Sequence, residues 1–132
     1  GADEVLSARD LQFSKTVKEI TNGHGVDVVL EITGSLTFDQ SVRSLGVGGR
    51  LVMVGNLKTQ PVNFMPGVMI LKELEFIGSF ATTTDELTEA FRLVEGGAII
   101  PVLAATLPLK DAAKAHEMLF ERQVTGRLAL EM

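Results

Sequence analysis

The stretch of residues 26–34 constrains the fold of this chain more than any other, because its apolar residues are nearly continuous. It is too short for a buried helix and rich in β-branched residues, so it predicts a strand covered on both faces, central in a parallel sheet. Gly34 closes the strand, and Phe38, Val42 and Leu45 follow at the spacing of one helical face. Strand, glycine turn and helix form the unit of a doubly wound α/β sheet, whose ligands bind at the carboxyl ends of the strands.

Other segments of the chain also have the character of strands. Residues 51–55 repeat the buried pattern of the first strand, whereas residues 73–80 begin by alternating polar and apolar side chains, as an edge strand does. Pro101 demotes the apolar stretch 99–103 to an edge strand or an extended segment. Short strands are also predicted at Val5-Leu6 and Leu128-Ala129-Leu130.

Helices are predicted between these strands wherever apolar residues recur every three or four positions. Asp10 is predicted to cap a helix that carries Phe13, Val17 and Ile20 on one face and stops at Gly23. After residues 36–45, a flexible glycine corner at residues 46–49 leads into the next strand. Further helices are predicted from Pro66, from a capping box of Thr83 with Glu86 to Gly96-Gly97, and through Leu109, Ala112, Ala113, His116 and Phe120.

Composition excludes several classes of function. The 132 residues, 45% of them hydrophobic, suffice for one globular domain with a real core. A net charge of −5 without a basic block argues against nucleic acid or an anionic membrane as partner. The absence of cysteine rules out disulfides and thiolate metal sites and fits a reducing compartment. Because no apolar run approaches a membrane span and the first residues do not resemble a signal peptide, we expect a cytoplasmic protein.

Short phrases distributed along the whole chain resemble one family. In order and spacing they are similar to the medium-chain dehydrogenase/reductase family, which contains zinc-type alcohol dehydrogenases and quinone oxidoreductases. The phrases are Gly1-Ala2-Asp3-Glu4-Val5, Gly25-Val26-Asp27-Val28-Val29, Gly48-Gly49-Arg50-Leu51-Val52, Leu74-Glu75-Phe76-Ile77-Gly78-Ser79, Pro108-Leu109-Lys110-Asp111-Ala112-Ala113-Lys114-Ala115-His116 and Gly126-Arg127-Leu128.

The resemblance implies the C-terminal portion of a longer NAD- or NADP-dependent oxidoreductase. Residues 1–82 correspond to the second half of a Rossmann cofactor domain, and residues 83–132 to a tail that returns to the catalytic domain in the family. The family's phosphate-binding Gly-x-Gly-x-x-Gly turn lies upstream and does not occur here; the glycines at 46–49 precede a strand instead of following one. The family's zinc ligands belong to an absent N-terminal domain, so zinc is compatible with the longer enzyme but finds no ligands in this chain.

The candidate site residues follow from the same resemblance. In the family, the turns at three strand ends contact the adenosine or nicotinamide riboside parts of the cofactor, and a basic residue near the C-terminus reaches the pyrophosphate. A guanidinium suits phosphate because it donates to two oxygens at once. The corresponding residues are Ile32, Thr33, Gly34, Val54, Gly55, Asn56, Gly78, Ser79, Phe80 and Arg127.

Simpler interpretations apply to several of these positions. Gly34, Gly55 and Gly78 also suit plain turns. His116 lies on an apolar helical face, which predicts a packed histidine rather than a base or metal ligand, and His24 between two glycines predicts a surface turn. No residue of this chain is predicted to be catalytic, and the fragment alone is expected to be inactive.

The sequence also leads to hypotheses about oligomerisation and about an alternative class of function. The edge strand from Leu74 to Phe80 is expected to pair with its copy in a homo-oligomer, as in the family. In a 3-2-1-4-5-6 sheet the strands between Val5-Leu6 and residues 26–34 are missing, so one side of the latter strand is expected to be open. The alternative to an oxidoreductase fragment is a stand-alone, non-catalytic α/β binding or dimerisation module, because a fold alone does not determine function.

Overall fold

The computed structural model describes residues 1–9 and 11–132, which form two compact units, Gly1–Ala81 and Thr82–Met132. The first unit contains a three-stranded sheet and the second a two-stranded sheet. The elements of the first unit are α1 (Phe13–Ile20), β1 (Val26–Glu31), α2 (Phe38–Ser44), β2 (Leu45–Met53), α3 (Pro66–Lys72) and β3 (Glu75–Gly78). Those of the second are α4 (Thr84–Glu95), β4 (Leu103–Pro108), a 3-10 turn (Leu109–Asp111), α5 (Ala112–Phe120) and β5 (Arg127–Glu131).

The sheet of the first unit is parallel throughout, in the order β1-β2-β3. Leu30 pairs with Val52, and Val52 pairs with Ile77, so the carboxyl ends of all three strands lie at one edge. The α/β class with a parallel, Rossmann-like sheet predicted from the sequence is confirmed. The predicted edge position of the strand around Phe76 is also confirmed, because β3 ends the order.

The hydrophobic core of the first unit lies under α2 and α3. Leu45 and Leu51 are fully buried, and the ring of Phe38 packs against them. Phe64 and Phe76 meet Phe38 edge-on, with ring centroids 6.0 and 5.9 Å away, a geometry that aromatic pairs favour. Phe38 and Val42 of the predicted helical stripe therefore form the buried face of α2, and Leu45, predicted on the same helix, is the buried first residue of β2.

The strand at residues 26–34 is neither central nor covered on both faces, contrary to the prediction. β1 lies at the edge of the three-stranded sheet, and the side chains of Val28 and Leu30 are 49% and 68% exposed. Within residues 1–9 and 11–132, no strand pairs with the outer side of β1.

The structure differs from the predictions for two further segments of the first unit, Val5-Leu6 and the glycine corner at residues 46–49. Val5 and Leu6 form no strand, contrary to the prediction, and Val5 is 85% exposed. The glycine corner is instead the irregular start of β2, where a Cβ on Gly46 would lie 2.8 Å from the carbonyl oxygen of His24. The predicted cap Asp10 falls outside the described residues.

In the second unit, the capping box at the start of α4 is confirmed. The Thr83 hydroxyl accepts from the Glu86 amide at 3.3 Å, and the Glu86 carboxylate accepts from the Thr83 amide at 2.7 Å. β4 and β5 are parallel neighbours, and β5 contains the predicted strand 128–130. No helix among the described residues is long and apolar enough to cross a membrane.

The predicted face of α5 is wrong. Ala115 is the buried residue of this helix, whereas His116 and Phe120 are exposed. The prediction that His116 is packed therefore fails, because the face of α5 that carries Ala115 is buried while His116, the next residue, is exposed to solvent. His24 is exposed in a turn, as predicted.

Candidate cofactor site

The turns that follow β1 and β2 pack directly against each other at the carboxyl edge of the sheet. The amides of Val54 and Gly55 donate to the carbonyl oxygen of Glu31 at 2.9 and 3.2 Å. The amide of Leu57 donates to the carbonyl oxygen of Thr33 at 3.0 Å. These bonds extend the β1-β2 pairing beyond the strands, so the two turns form one continuous backbone surface.

Two of the candidate glycines are required by this turn-to-turn contact. Gly34 has a φ of +82°, and a Cβ there would lie 2.2 Å from Oδ1 of Asn56. A Cβ on Gly55 would lie 2.5 Å from the carbonyl oxygen of Ile32. Only glycine allows this conformation together with so close an approach. Packing therefore accounts for both glycines without any ligand.

Gly78, at the end of β3, has a different environment. A Cβ built on this residue meets no atom within 4 Å, so the space above it is open. The next residue is tied to the sheet, since the amide of Ser79 donates to the carbonyl oxygen of Met53 at 2.9 Å. The side chain of Phe80 is 98% exposed. Packing against the protein therefore does not account for glycine at position 78, in contrast to Gly34 and Gly55.

The structure gathers the candidates of the first unit along one sheet edge, where apolar side chains are bare. Ile32 and Val54 are 65% and 50% exposed beside the interlocked turns. Arg127 belongs to the second unit, where it is exposed at the start of β5 and its amide donates to the carbonyl oxygen of Val102 at 2.8 Å.

A buried carboxylate that the sequence analysis did not single out organises the first turn. Glu31 is only 3% exposed. Its Oε1 accepts from the amides of Thr33 and Gly34 at 2.8 and 3.0 Å and from the Thr37 hydroxyl at 2.8 Å. Its Oε2 accepts from the Ser41 hydroxyl. One side chain therefore ties the end of β1 to the turn and to α2.

These hydrogen bonds decide the ionisation of Glu31. Burial alone would raise its pKa, but the donors Ser41 and Thr37 and the amides of Gly34 and Thr33 lower the pKa below the usual glutamate value. The carboxylate is consequently charged at neutral pH. A sequence signal existed: an acidic residue at the end of an apolar strand, followed within ten positions by threonine, glycine and serine donors.

The comparison with known protein families shows to which family this chain belongs. A sequence profile of the zinc-binding dehydrogenases matches residues 1–130. This chain belongs to that family. The membership confirms the medium-chain dehydrogenase/reductase resemblance, including the expected restriction to the C-terminal portion.

Individual relatives agree with this assignment. The acryloyl-coenzyme A reductase of Metallosphaera sedula is 35% identical over 130 residues, which are 98% of this chain and 37% of that protein. The crystal structure of AibC superposes with a TM-score of 0.92 at 50% identity, over 98% of this chain and 36% of that one. The crystal structure of an NAD-dependent alcohol dehydrogenase superposes with a TM-score of 0.82 at 32% identity. The match covers 100% of this chain and 38% of that one. The chain thus spans little more than a third of the length of these relatives.

The structure allows a test of which parts of a dinucleotide the described residues could accommodate. The open space at Gly78 and the bare side chains of Ile32 and Val54 suit a planar ring and its ribose. The helix that follows the first turn, α2, has seven residues and no glycine-rich loop before it. Among the described residues, no group of three or more histidine, aspartate and glutamate side chains is placed to hold a metal ion.

Proposed function

We propose that this chain is the C-terminal, cofactor-binding part of an NAD(P)-dependent oxidoreductase. The longer enzyme transfers a hydride between the nicotinamide cofactor and either an alcohol or aldehyde or an activated alkene. The observation that carries the proposal is the row of three strand ends at one sheet edge, with open space at Gly78 and exposed apolar side chains beside it. The names of two relatives, a reductase of acryloyl-coenzyme A and an NAD-dependent alcohol dehydrogenase, support both substrate classes.

In this proposal the cofactor supplies the hydride chemistry and the chain supplies a rigid surface. The interlocked turns at Ile32-Thr33-Gly34 and Val54-Gly55-Asn56 hold one part of a nucleoside, and Gly78-Ser79-Phe80 hold the next. Ile32 and Val54 cover ring faces and exclude water from them. Glu31 keeps the first turn in place through its bonds to Thr33 and Gly34 and is a positioning residue, not a catalytic one.

We assign the pyrophosphate contact to Arg127 and divide the chain after residue 82, into the cofactor-domain part and the tail. The separation of the structure into units that meet at Ala81 and Thr82 supports this division. The guanidinium of Arg127 is exposed, so its five donors are available for phosphate oxygens. Catalysis, zinc binding and the choice between NAD and NADP are assigned to residues of the longer protein, so the chain alone is inactive. A cytoplasmic location remains a prediction.

The edge strand β3 is the proposed dimer contact. Its outer side has no paired strand among the described residues, and unpaired edges favour pairing with a second copy. Because the Ser79 amide bonds to Met53 of β2, strand alternation places the amide of Gly78 on the outer side of β3. Replacing Gly78 with proline removes this outer donor and is expected to give monomers in sedimentation analysis of the chain. Gly78→Ala keeps the amide and should leave the assembly unchanged. A dimer that persists in Gly78→Pro contradicts this contact.

The experiment that tests cofactor binding compares two glycines with equal space for a side chain. Neither Gly78 nor Gly67 has an atom within 4 Å of a built Cβ, but Gly67 belongs to helix α3 and does not follow a strand. In NADH titrations followed by NMR, Gly78→Leu should weaken binding at least tenfold and Gly67→Leu should not. Equal affinities in both variants would refute the site.

The intact mass of the protein in its source cells distinguishes the two function classes. A mass more than twice the 14.2 kDa of this chain supports the oxidoreductase fragment. A mass of 14.2 kDa together with no response to NADH or NADPH favours the stand-alone binding module instead.

A further inference from the structure

A second concave surface of the first unit lies on its helical side. It is an open cleft of about 890 Å³ between α1, α2 and the segment leading into α3. Its walls include the apolar side chains of Val42, Phe64, Met65 and Val68. Ligand sites in proteins have volumes of roughly 300 to 1,000 Å³ and similar apolar linings. None of the strand-end candidates lines this cleft, so it is independent of the cofactor proposal.

The polar part of the cleft is strongly cationic. Lys15, Lys18, Arg43 and Lys72 line it, and Asp39 is the acidic residue among the lining side chains. Asp39 is already paired with Arg43 at 2.6 Å. The cleft therefore combines an apolar wall with uncompensated positive charge.

Two of these lysines converge on one backbone oxygen. The ammonium groups of Lys72 and Lys18 donate to the carbonyl oxygen of Leu45 at 2.8 and 3.2 Å, and Lys18 also reaches the carbonyl oxygen of His24 at 3.1 Å. Both lysines thereby cap the C-terminal end of α2, a favourable use of positive charge. Within residues 1–9 and 11–132, neither lysine is ion-paired with a carboxylate. Each ammonium carries three donors, so both keep capacity for a further acceptor.

The lysines also repel one another. The pKa of Lys72 is lowered by burial and then by the charges of Lys18 and Arg43. A bound anion would offset this repulsion and accept the remaining hydrogen bonds. Nothing comparable is gained from a neutral ligand or from a cation.

We propose that this cleft binds a small amphipathic carboxylate, such as the anion of a medium-chain fatty acid. The carboxylate lies against the ammonium groups of Lys18 and Lys72, and the hydrocarbon body lies against Phe64, Met65 and Val68. The excess of positive side chains lining the cleft favours an anionic occupant. A small carboxylate is favoured over a second copy of the chain because two copies, each with a net charge of −5, repel one another.

The proposal is tested with octanoate and its neutral counterpart 1-octanol, titrated to the 132-residue chain and followed by amide NMR shifts. Octanoate should shift the signals of residues lining the cleft saturably, and 1-octanol should bind at least tenfold more weakly. Lys72→Met should weaken octanoate at least tenfold, while Lys110→Met in the second unit should have no effect. Raising the salt concentration should also weaken octanoate, since exposed charge attraction is screened.

A second variant keeps the test independent of folding effects at Lys72. Met65 is 70% exposed, so Met65→Trp fills the cleft without disturbing the core and should abolish octanoate binding with an unchanged circular dichroism spectrum. Equal affinity for octanoate and 1-octanol, or no saturable shifts, overturns the proposal. So does a response of the same signals to protein concentration alone, which identifies a second copy as the occupant.

Discussion

Replacing Glu31 tests whether a buried carboxylate holds the first strand-end turn. Two of its four donors, the Gly34 amide and the Ser41 hydroxyl, are buried. Leaving a buried donor unsatisfied costs about 1 to 3 kcal/mol, so Glu31→Ala should lower the free energy of unfolding by about 4 kcal/mol. For a chain of this size that corresponds to a fall in Tm of roughly 10 °C or more. Glu31→Gln retains an acceptor oxygen but loses the charge, and should cost about 1 to 2 kcal/mol.

The pH dependence of stability separates the charge of Glu31 from its shape. Because the folded-state pKa is lowered, the stabilisation is fully present above the unfolded pKa of about 4.3. It is lost as pH falls from there through the folded pKa. The difference between the protein and Glu31→Gln should therefore be constant near pH 7 and shrink below about pH 4. Glu86 and Glu89, whose pKa values are also lowered by hydrogen bonds, titrate in both proteins and cancel in this difference.

The measurement is urea unfolding followed by circular dichroism, since the chain contains no tryptophan or tyrosine for fluorescence. Glu75→Gln is the matched control. Its carboxylate pairs with Arg50 at 3.0 Å in an exposed position, and such pairs contribute about 0 to 1 kcal/mol. If Glu31→Gln and Glu75→Gln cost the same at pH 7, or if the Glu31→Gln difference does not change with pH, the reasoning from burial and hydrogen bonding is refuted.

Two further predictions concern backbone geometry and capping. Gly34→Ala should destabilise the first unit by more than Gly48→Ala. Both residues have a positive φ, which costs alanine about 1 to 2 kcal/mol. Only at Gly34 would the new Cβ also clash with Asn56. Equal urea midpoints for the two variants would contradict this, because they would show that the turn at Gly34 accommodates the Cβ without loss of stability. Thr83→Ala should lower protection of the first-turn amides of α4 against hydrogen exchange by about 1 kcal/mol, and Thr83→Ser should not; equal protection in both variants would contradict the capping role.

Elements whose signals are local were predictable from the sequence. The capping box at Thr83 requires only residues three positions apart, and the buried face of Phe38 and Val42 requires only one helix. The alternation before Phe76 correctly indicated an edge strand. Each of these patterns depends only on residues within one helix or one strand. The rest of the fold therefore does not change what the pattern predicts.

The candidate site was predictable only in part, for a physical reason. That strand ends meet at one edge follows from parallel pairing, so the location could be stated from the sequence. The roles of the glycines could not, because Gly34 and Gly55 are explained by contacts with Asn56 and Ile32, which are distant in sequence, whereas Gly78 has none. Glu31 was missed for the same reason: its buried state depends on a helix ten residues away that supplies Ser41.

Two predictions were wrong: a strand at Val5, and a central position covered on both faces for β1. Both were based on the apolar composition of a short segment. Val28 and Leu30 have the composition of a strand covered on both faces, yet both are exposed here and the outer edge of β1 is unpaired in the described structure. Apolar side chains in such a run indicate burial in the complete fold, while the structure of one chain shows only the contacts that this chain can supply. The bare face of β1 therefore marks where the sequence predicts contacts that residues of this chain do not make. Val5, which was also predicted to lie in a strand, is likewise exposed and forms no strand.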